Sequence, residues 1–252
     1  MITLLRKELL EAWRSYRFLA VAAVLTFFGL LGPLSVKYMP DLLGALPNVP
    51  DGLADLMPPP NASLALAEYV ENITLFGAIL ALLVPMGALA GEKASGTAAL
   101  VLSKPVGRGA FLFAKFLAHS TTFAVGVLVA GLGAYYYTGL LFEWLDATRF
   151  IALHALLLLD LIAYMSFTLF GGAFFRSQLA AAGMGFAFLV SLGVLGAVPG
   201  LGDYLPAALV RWGLGLAQGV VGQPAWPALA TTLGLVLAAF GLGWWVLRRQ
   251  EI

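Results

Sequence analysis

Six stretches of apolar residues, each near bilayer length and nearly free of charge, decide what this chain can become. They fall at about 18–36, 72–90, 116–142, 150–175, 179–198 and 227–247. A helix of roughly 20 such residues crosses the hydrocarbon core, about 30 Å thick. None of the runs alternates every second residue, as a lipid-facing barrel strand would. The expected fold is therefore all-α, a polytopic membrane protein with six transmembrane helices in a single transmembrane domain over residues 1–252. Composition agrees, with 61% hydrophobic and only 11% charged residues, far from the quarter that soluble domains carry. The chain has no cysteine, which removes disulfides, thiol nucleophiles and thiolate metal sites from consideration.

Residues 1–17 place Ile2, Leu5, Leu9, Trp13 and Tyr16 at helical spacing on one face. Arg6, Lys7, Glu11, Arg14 and Arg17 lie largely on the other. That pattern predicts an amphipathic helix lying in the headgroup region; the alternative is a solvated basic start that only orients the first span. With four basic and two acidic residues ahead of a run long enough to span, a retained first helix is expected in place of a cleaved signal peptide.

Residues 37–71 change character, with Asp41, Asp51, Asp55, Glu68 and Glu71 and prolines at 40, 47, 50, 58, 59 and 60. Such proline density predicts an extended outer loop with a short helix from about Ser63. Pro85 should kink the second span near its end. Residues 199–226 form a second outer segment, too apolar for a solvated loop and too broken for a span. A re-entrant or interfacial helix within 205–221 fits it; were it a span, Arg248 and Arg249 would move to the opposite side.

Charge placement orients the bundle. With the N-terminus cytoplasmic, eleven of the fourteen Lys and Arg fall on the inner side, leaving Lys37, Arg149 and Arg211 outside. This bias predicts both termini on the cytoplasmic side of the membrane.

Chemistry inside the spans is sparse. Asp160 is the single carboxylate well within one, with His154 six residues before it and Tyr164 four after. A charge at that depth faces a bundle interior or a cavity. It reads either as a substrate or proton site or as a structural hydrogen bond. No H-E-x-x-H, Gly-x-Ser-x-Gly or phosphate-loop motif occurs, so no enzymatic activity and no nucleotide hydrolysis is expected of this chain. Small-xxx-small pairs such as Gly126 with Ala130 and Gly183 with Ala187 permit close helix packing.

The most patterned polar stretch is the inner loop 91–115. Gly96 and Thr97 should break the preceding helix and cap a new one through the Thr97 hydroxyl, with Pro105 ending a short helix over 98–103. An ordinary positive-inside loop with snorkelling lysines is the plainer reading. The run E-K-A-S-G-T-A-A-L-V-L-S-K-P-V-G-R-G-A-F-L-F-A-K-F resembles the corresponding loop in permease subunits of type-2 ABC transporters. The matching positions are Glu92, Gly96, Thr97, Leu100, Leu102, Ser103, Lys104, Pro105, Val106, Arg108 and Lys115. The basic amphipathic start, six spans and outer segment before the sixth extend the likeness over the chain.

That resemblance implies a transmembrane subunit of an exporter without its own ATPase. Its loop helix would be a coupling helix seated on the motor, and its N-terminal helix an elbow. The implied partners are two copies of an ABC ATPase subunit, a second permease (identical or related) and membrane lipid, with no nucleic acid. No cofactor is expected on this chain; ATP and Mg would sit on the ATPase. Two alternatives stand beside it: the permease subgroup tied to nitrous oxide reductase maturation, and a stand-alone ion-coupled carrier using Asp160.

Overall fold

The computed structural model describes residues 2–45, 58–220 and 222–250. Among them are ten α-helices: α1 (Ile2–Arg14), α2 (Arg17–Ala45), α3 (Ala62–Leu83), α4 (Met86–Ala94), α5 (Thr97–Leu102), α6 (Arg108–Leu141), α7 (Ala147–Phe174), α8 (Gln178–Gly196), α9 (Pro206–Ala217) and α10 (Trp226–Arg249). No strand occurs among the described residues. Six helical segments are long and apolar enough to cross a membrane, with α3 and α4 together making the second.

Helix starts follow from local side-chain chemistry. Asn61 caps α3 by accepting from the Leu64 amide at 2.8 Å, Asp146 caps α7 through the Arg149 amide at 2.9 Å, and Ser177 caps α8 through Ala180. Each satisfies one of the amide donors a helix leaves open at its start. The helix expected from about Ser63 starts at Ala62 and runs on without a break through the expected span to Leu83. Asn61, just ahead of it, is the cap.

The structure corrects the loop 37–71 on both sides. α2 continues past Val36 to Ala45 with Pro33 and Pro40 inside it. A proline withdraws one backbone donor, and such a loss is tolerated where neighbouring helices support the backbone. Glu68 and Glu71 lie on α3. The remaining prolines at 47 and 50, with Asp51 and Asp55, lie outside the described residues. The helix break expected at Pro85 falls between α3 and α4, at Val84 and Pro85.

α7 is the hub of the bundle, packing on α3, α4, α6, α8, α9 and α10, while α2 lies between α3 and α6. Its buried positions include Leu153, Leu157, Leu161, Met165 and Leu169, spaced four apart. Close helix contact is bought with glycine: a Cβ at Gly32 would lie 2.6 Å from the Tyr69 backbone nitrogen, and one at Gly126 would lie 2.7 Å from Val21 Cγ1. Gly183 meets nothing within 4 Å, so of the two small-residue pairs read from the sequence only the one at Gly126 packs within the chain.

Candidate functional site

α5 is a single short helix held between two long ones. Gly96 adopts a left-handed conformation, φ 74°, which a residue with a Cβ takes only with strain. The chain thereby turns sharply out of α4. The Thr97 hydroxyl does not cap α5, contrary to expectation: Gly96 occupies the cap position, and the Thr97 and Ser95 hydroxyls bond to each other. At the far end Ser103 Oγ donates to the Leu100 carbonyl at 2.9 Å, and Pro105 follows. Ala98 is fully buried and Leu100 is 69% exposed. Gly96, Thr97, Ser103, Lys104 and Pro105 are exposed, with Leu102 and Val106 half-buried. A hollow of about 280 Å³ opens beside Ala99, Leu102, Ser103, Val106 and Arg108.

Glu92 and Lys115 turn inward to a charge cluster. Lys115 Nζ lies 2.9 Å from Glu92 Oε1 and 3.1 Å from Glu8 Oε2, its side chain 1% exposed. Lys7 Nζ reaches Glu8, Glu11 and Glu92 at 3.0, 3.1 and 3.1 Å. Arg17 lies 3.6 Å from Glu11. Three cations and three carboxylates thus close on each other and tie α1 to α4 and α6. Burial alone would lower the Lys7 pKa, but the bond and charge of Glu8, aided by Glu92, carry it above its ordinary value. For Glu11 burial acts upward, and Lys7, Lys115 and Arg17 together bring it below the usual carboxylate range. Oxygens of Glu8, Glu11 and Glu92 lie within 4.8 Å of one another, a spacing that suits a cation. The ammonium groups of Lys7 and Lys115 supply that positive charge.

Two further cations bind helix C-termini, where carbonyls lack intrahelical partners. Arg108 Nη1 donates to the carbonyls of Leu247, Arg248 and Gln250 at 2.5, 3.0 and 2.8 Å. Lys93 Nζ donates to the Ala173 carbonyl at 2.7 Å and to Gln250 Oε1 at 3.2 Å. The loop residues therefore divide: Glu92, Arg108 and Lys115 clamp neighbouring helices, while Leu100 and Lys104 face outward. The sequence reading missed Glu8, Lys7 and Gln250 as members. Glu8 carried a signal, since it lies three residues after Leu5 and four before Ala12, next to the apolar face of α1. A carboxylate placed there needs a cation from another helix.

Within the spans His154 and Asp160 are not brought together. Six residues of helix turn through about 600° at 3.6 residues per turn, which puts the two on different faces. His154 Nδ1 lies 2.7 Å from the Phe150 carbonyl, so it carries the proton, and Nε2 accepts from the hydroxyl of buried Tyr69 at 2.6 Å. Gly131 leaves room for the imidazole. The Asp160 side chain is 1% exposed, and among the described residues neither oxygen makes a hydrogen bond of ordinary geometry. Tyr164 is buried one turn further on. A groove of about 440 Å³ between α6 and α7 exposes His154 among apolar residues such as Leu128 and Ile151.

Residues 2–207 match the family model described as ABC-2 family transporter protein. The chain belongs to the ABC-2 family. Membership, together with six apolar helices, makes it an integral membrane protein engaged in transport, not an enzyme. Uncharacterized transmembrane protein YxlG of Bacillus subtilis is 33% identical over 216 residues, covering 84% of this chain and 82% of that protein. A probable ABC transporter permease protein, NosY of Pseudomonas aeruginosa, is 37% identical over 68 residues, 27% of this chain and 24% of its own. NosY of Stutzerimonas stutzeri is 36% identical over 64 residues, 25% and 23% of the two chains. The ABC-2 resemblance read from the loop thus holds for most of the chain.

Proposed function

We propose that this chain is the membrane-spanning permease subunit of an ATP-driven ABC exporter, coupled through α5 to a separate ATPase. The observation that carries the reading is the exposed Leu100 on a short helix whose two flanks are fixed. Ala98 anchors α5 from below, Glu92 locks the end of α4, and Arg108 with Lys115 locks the start of α6. A motor pushing on such a helix moves two spans together, because little of the displacement is lost in a slack loop. Two permease copies, or this chain with a related one, would enclose the pathway over two ATPase subunits that hold ATP and Mg. Both termini would lie in the cytoplasm of a prokaryotic-type inner membrane, with α1 as the interfacial elbow: its Ile2 and Trp13, and Tyr16 in the turn after it, are exposed and suited to the headgroup region. A maturation-type permease would share this architecture and differ in cargo.

The test is co-purification with the cognate ATPase in mild detergent and measurement of its stimulated ATP hydrolysis. Leu100→Asp should abolish both association and stimulation while leaving the fold intact, since the Leu100 side chain is largely exposed. Retention of full stimulation by Leu100→Asp and Lys104→Glu would remove the docking role from α5. Charge reversal at Glu92 or Arg108 is a poorer probe, because the first would also break the ion cluster and the second the clamp on the end of α10.

A further inference from the structure

A cleft of about 580 Å³ lies where α9 meets the start of α10, at the opposite end of α10 from the Arg108 clamp. Its walls carry opposite charges. Arg211 projects from α9, and Asp203 from the 3-10 turn Gly202–Tyr204 that precedes it. Arg211 commits only Nη2, to the Gly202 carbonyl at 3.1 Å and to Asp203 Oδ1 at 3.4 Å. A guanidinium has five N–H donors, and among the described residues only Nη2 of Arg211 is engaged, which leaves its Nε and Nη1 edge to face the cleft. The Asp203 side chain is 84% exposed. Trp212 lines the same cleft and stands edge-on to Trp226, with ring centroids 5.4 Å apart. Gly215 lies one turn beyond Arg211, and a Cβ there would meet none of the described residues within 4 Å. The floor is therefore open for want of a side chain.

We infer that this cleft binds the headgroup of an aminophospholipid, phosphodiester on Arg211 and primary ammonium on Asp203. A guanidinium edge takes a phosphate through paired charge-assisted bonds, and the neighbouring carboxylate accepts from an ammonium a few ångströms away. Trp226, at the start of spanning helix α10 and paired with Trp212 of α9, marks headgroup depth, which favours a lipid over a soluble phosphate compound. An anionic headgroup would satisfy Arg211 but meet Asp203 as a like charge, so the site discriminates by the amine. The inference rests on the chain spanning a membrane and not on the ATPase coupling; failure of Leu100→Asp to uncouple a motor would leave it standing.

The test is native mass spectrometry of the full chain in detergent, titrated with dioleoylphosphatidylethanolamine, with dioleoylphosphatidylglycerol, or with soluble glycerophosphoethanolamine. The ethanolamine lipid should be retained at one per chain and at least about tenfold more tightly than the glycerol lipid. Arg211→Gln should lower retention of both lipids about tenfold or more. Asp203→Asn should remove the preference between them. Gly215→Leu, which replaces a helical glycine with a better helix former, should fill the cleft and abolish specific retention. Equal retention of the two lipids, or undiminished retention by Gly215→Leu, would overturn the proposal. So would binding of glycerophosphoethanolamine as tight as that of the lipid, since the ligand would then be a soluble phosphoethanolamine compound.

Discussion

Glu8 and Lys115, 107 residues apart in the chain, form an ion pair with both side chains almost wholly buried and the charged atoms 3.1 Å apart. Removing one member of such a pair leaves a charge uncompensated in a poorly solvated place, typically at a cost of about 3–5 kcal/mol. Glu92 remains 2.9 Å from Lys115 and softens the loss, so Glu8→Leu should destabilise by roughly 2–3 kcal/mol. The double variant Glu8→Leu with Lys115→Met should recover most of it. Thermal unfolding in detergent, run as a double-mutant cycle, measures the coupling.

The same cluster should respond to pH at both extremes. Glu11 has a lowered folded-state pKa, so its stabilising contribution is present above the ordinary glutamate value and fades as pH falls through the lowered one. Lys7 is raised; its contribution is present below the ordinary lysine value and fades as pH climbs through the raised one. The stability gap between the wild type and Glu11→Gln should be constant near neutrality and vanish in strong acid. A gap that instead widened on acidification would contradict the geometry.

Gly32 and Gly183 should respond oppositely to the same substitution. An alanine Cβ at Gly32 meets the α3 backbone 2.6 Å from the Tyr69 nitrogen and 2.9 Å from its Cα. Neither atom can rotate away, so Gly32→Ala should cost about 2 kcal/mol or more as α2 and α3 are pushed apart. Gly183→Ala has open space and gains up to about 1 kcal/mol from helix propensity. Thermal melts of the two purified variants decide it.

Asp160 offers a test of the carrier alternative. Its oxygens make no hydrogen bond of ordinary geometry among the described residues, so beyond its approach to the Tyr164 hydroxyl the side chain adds little to the packed state. Replacement by an apolar residue of similar size removes an unsatisfied group whose burial costs about 1–3 kcal/mol. Asp160→Leu should therefore be at least as stable as the wild type in thermal unfolding. Asp160→Asn should leave ATP-driven transport in proteoliposomes unchanged; loss of an ion-coupled flux in that variant would instead revive the carrier reading.

Much of the architecture was legible because bilayer chemistry writes itself in long runs. The six apolar segments needed no tertiary information, and neither did the short helix after Gly96. What escaped was what depends on a partner distant in sequence. Lys115 reads as one more inner-side lysine until Glu8 and Glu92 are seen around it, and Arg108 as a loop cation until the end of α10 arrives beside it. His154 and Asp160 looked like one polar site because they are close in sequence, whereas Tyr69, from another helix, is the true partner of His154. Proline counting misplaced the end of α2, since Pro40 costs one hydrogen bond in a helix whose other bonds persist.

The grip of Arg108 on the last carbonyls of α10 bears on how this protein can be handled in the laboratory. A reporter or purification handle joined shortly after Gln250 would emerge beside α5, within reach of the surface where a motor would sit. It could block assembly without disturbing a single span. Handles placed near the Asp146 turn, at the other end of the bundle, would leave that surface clear.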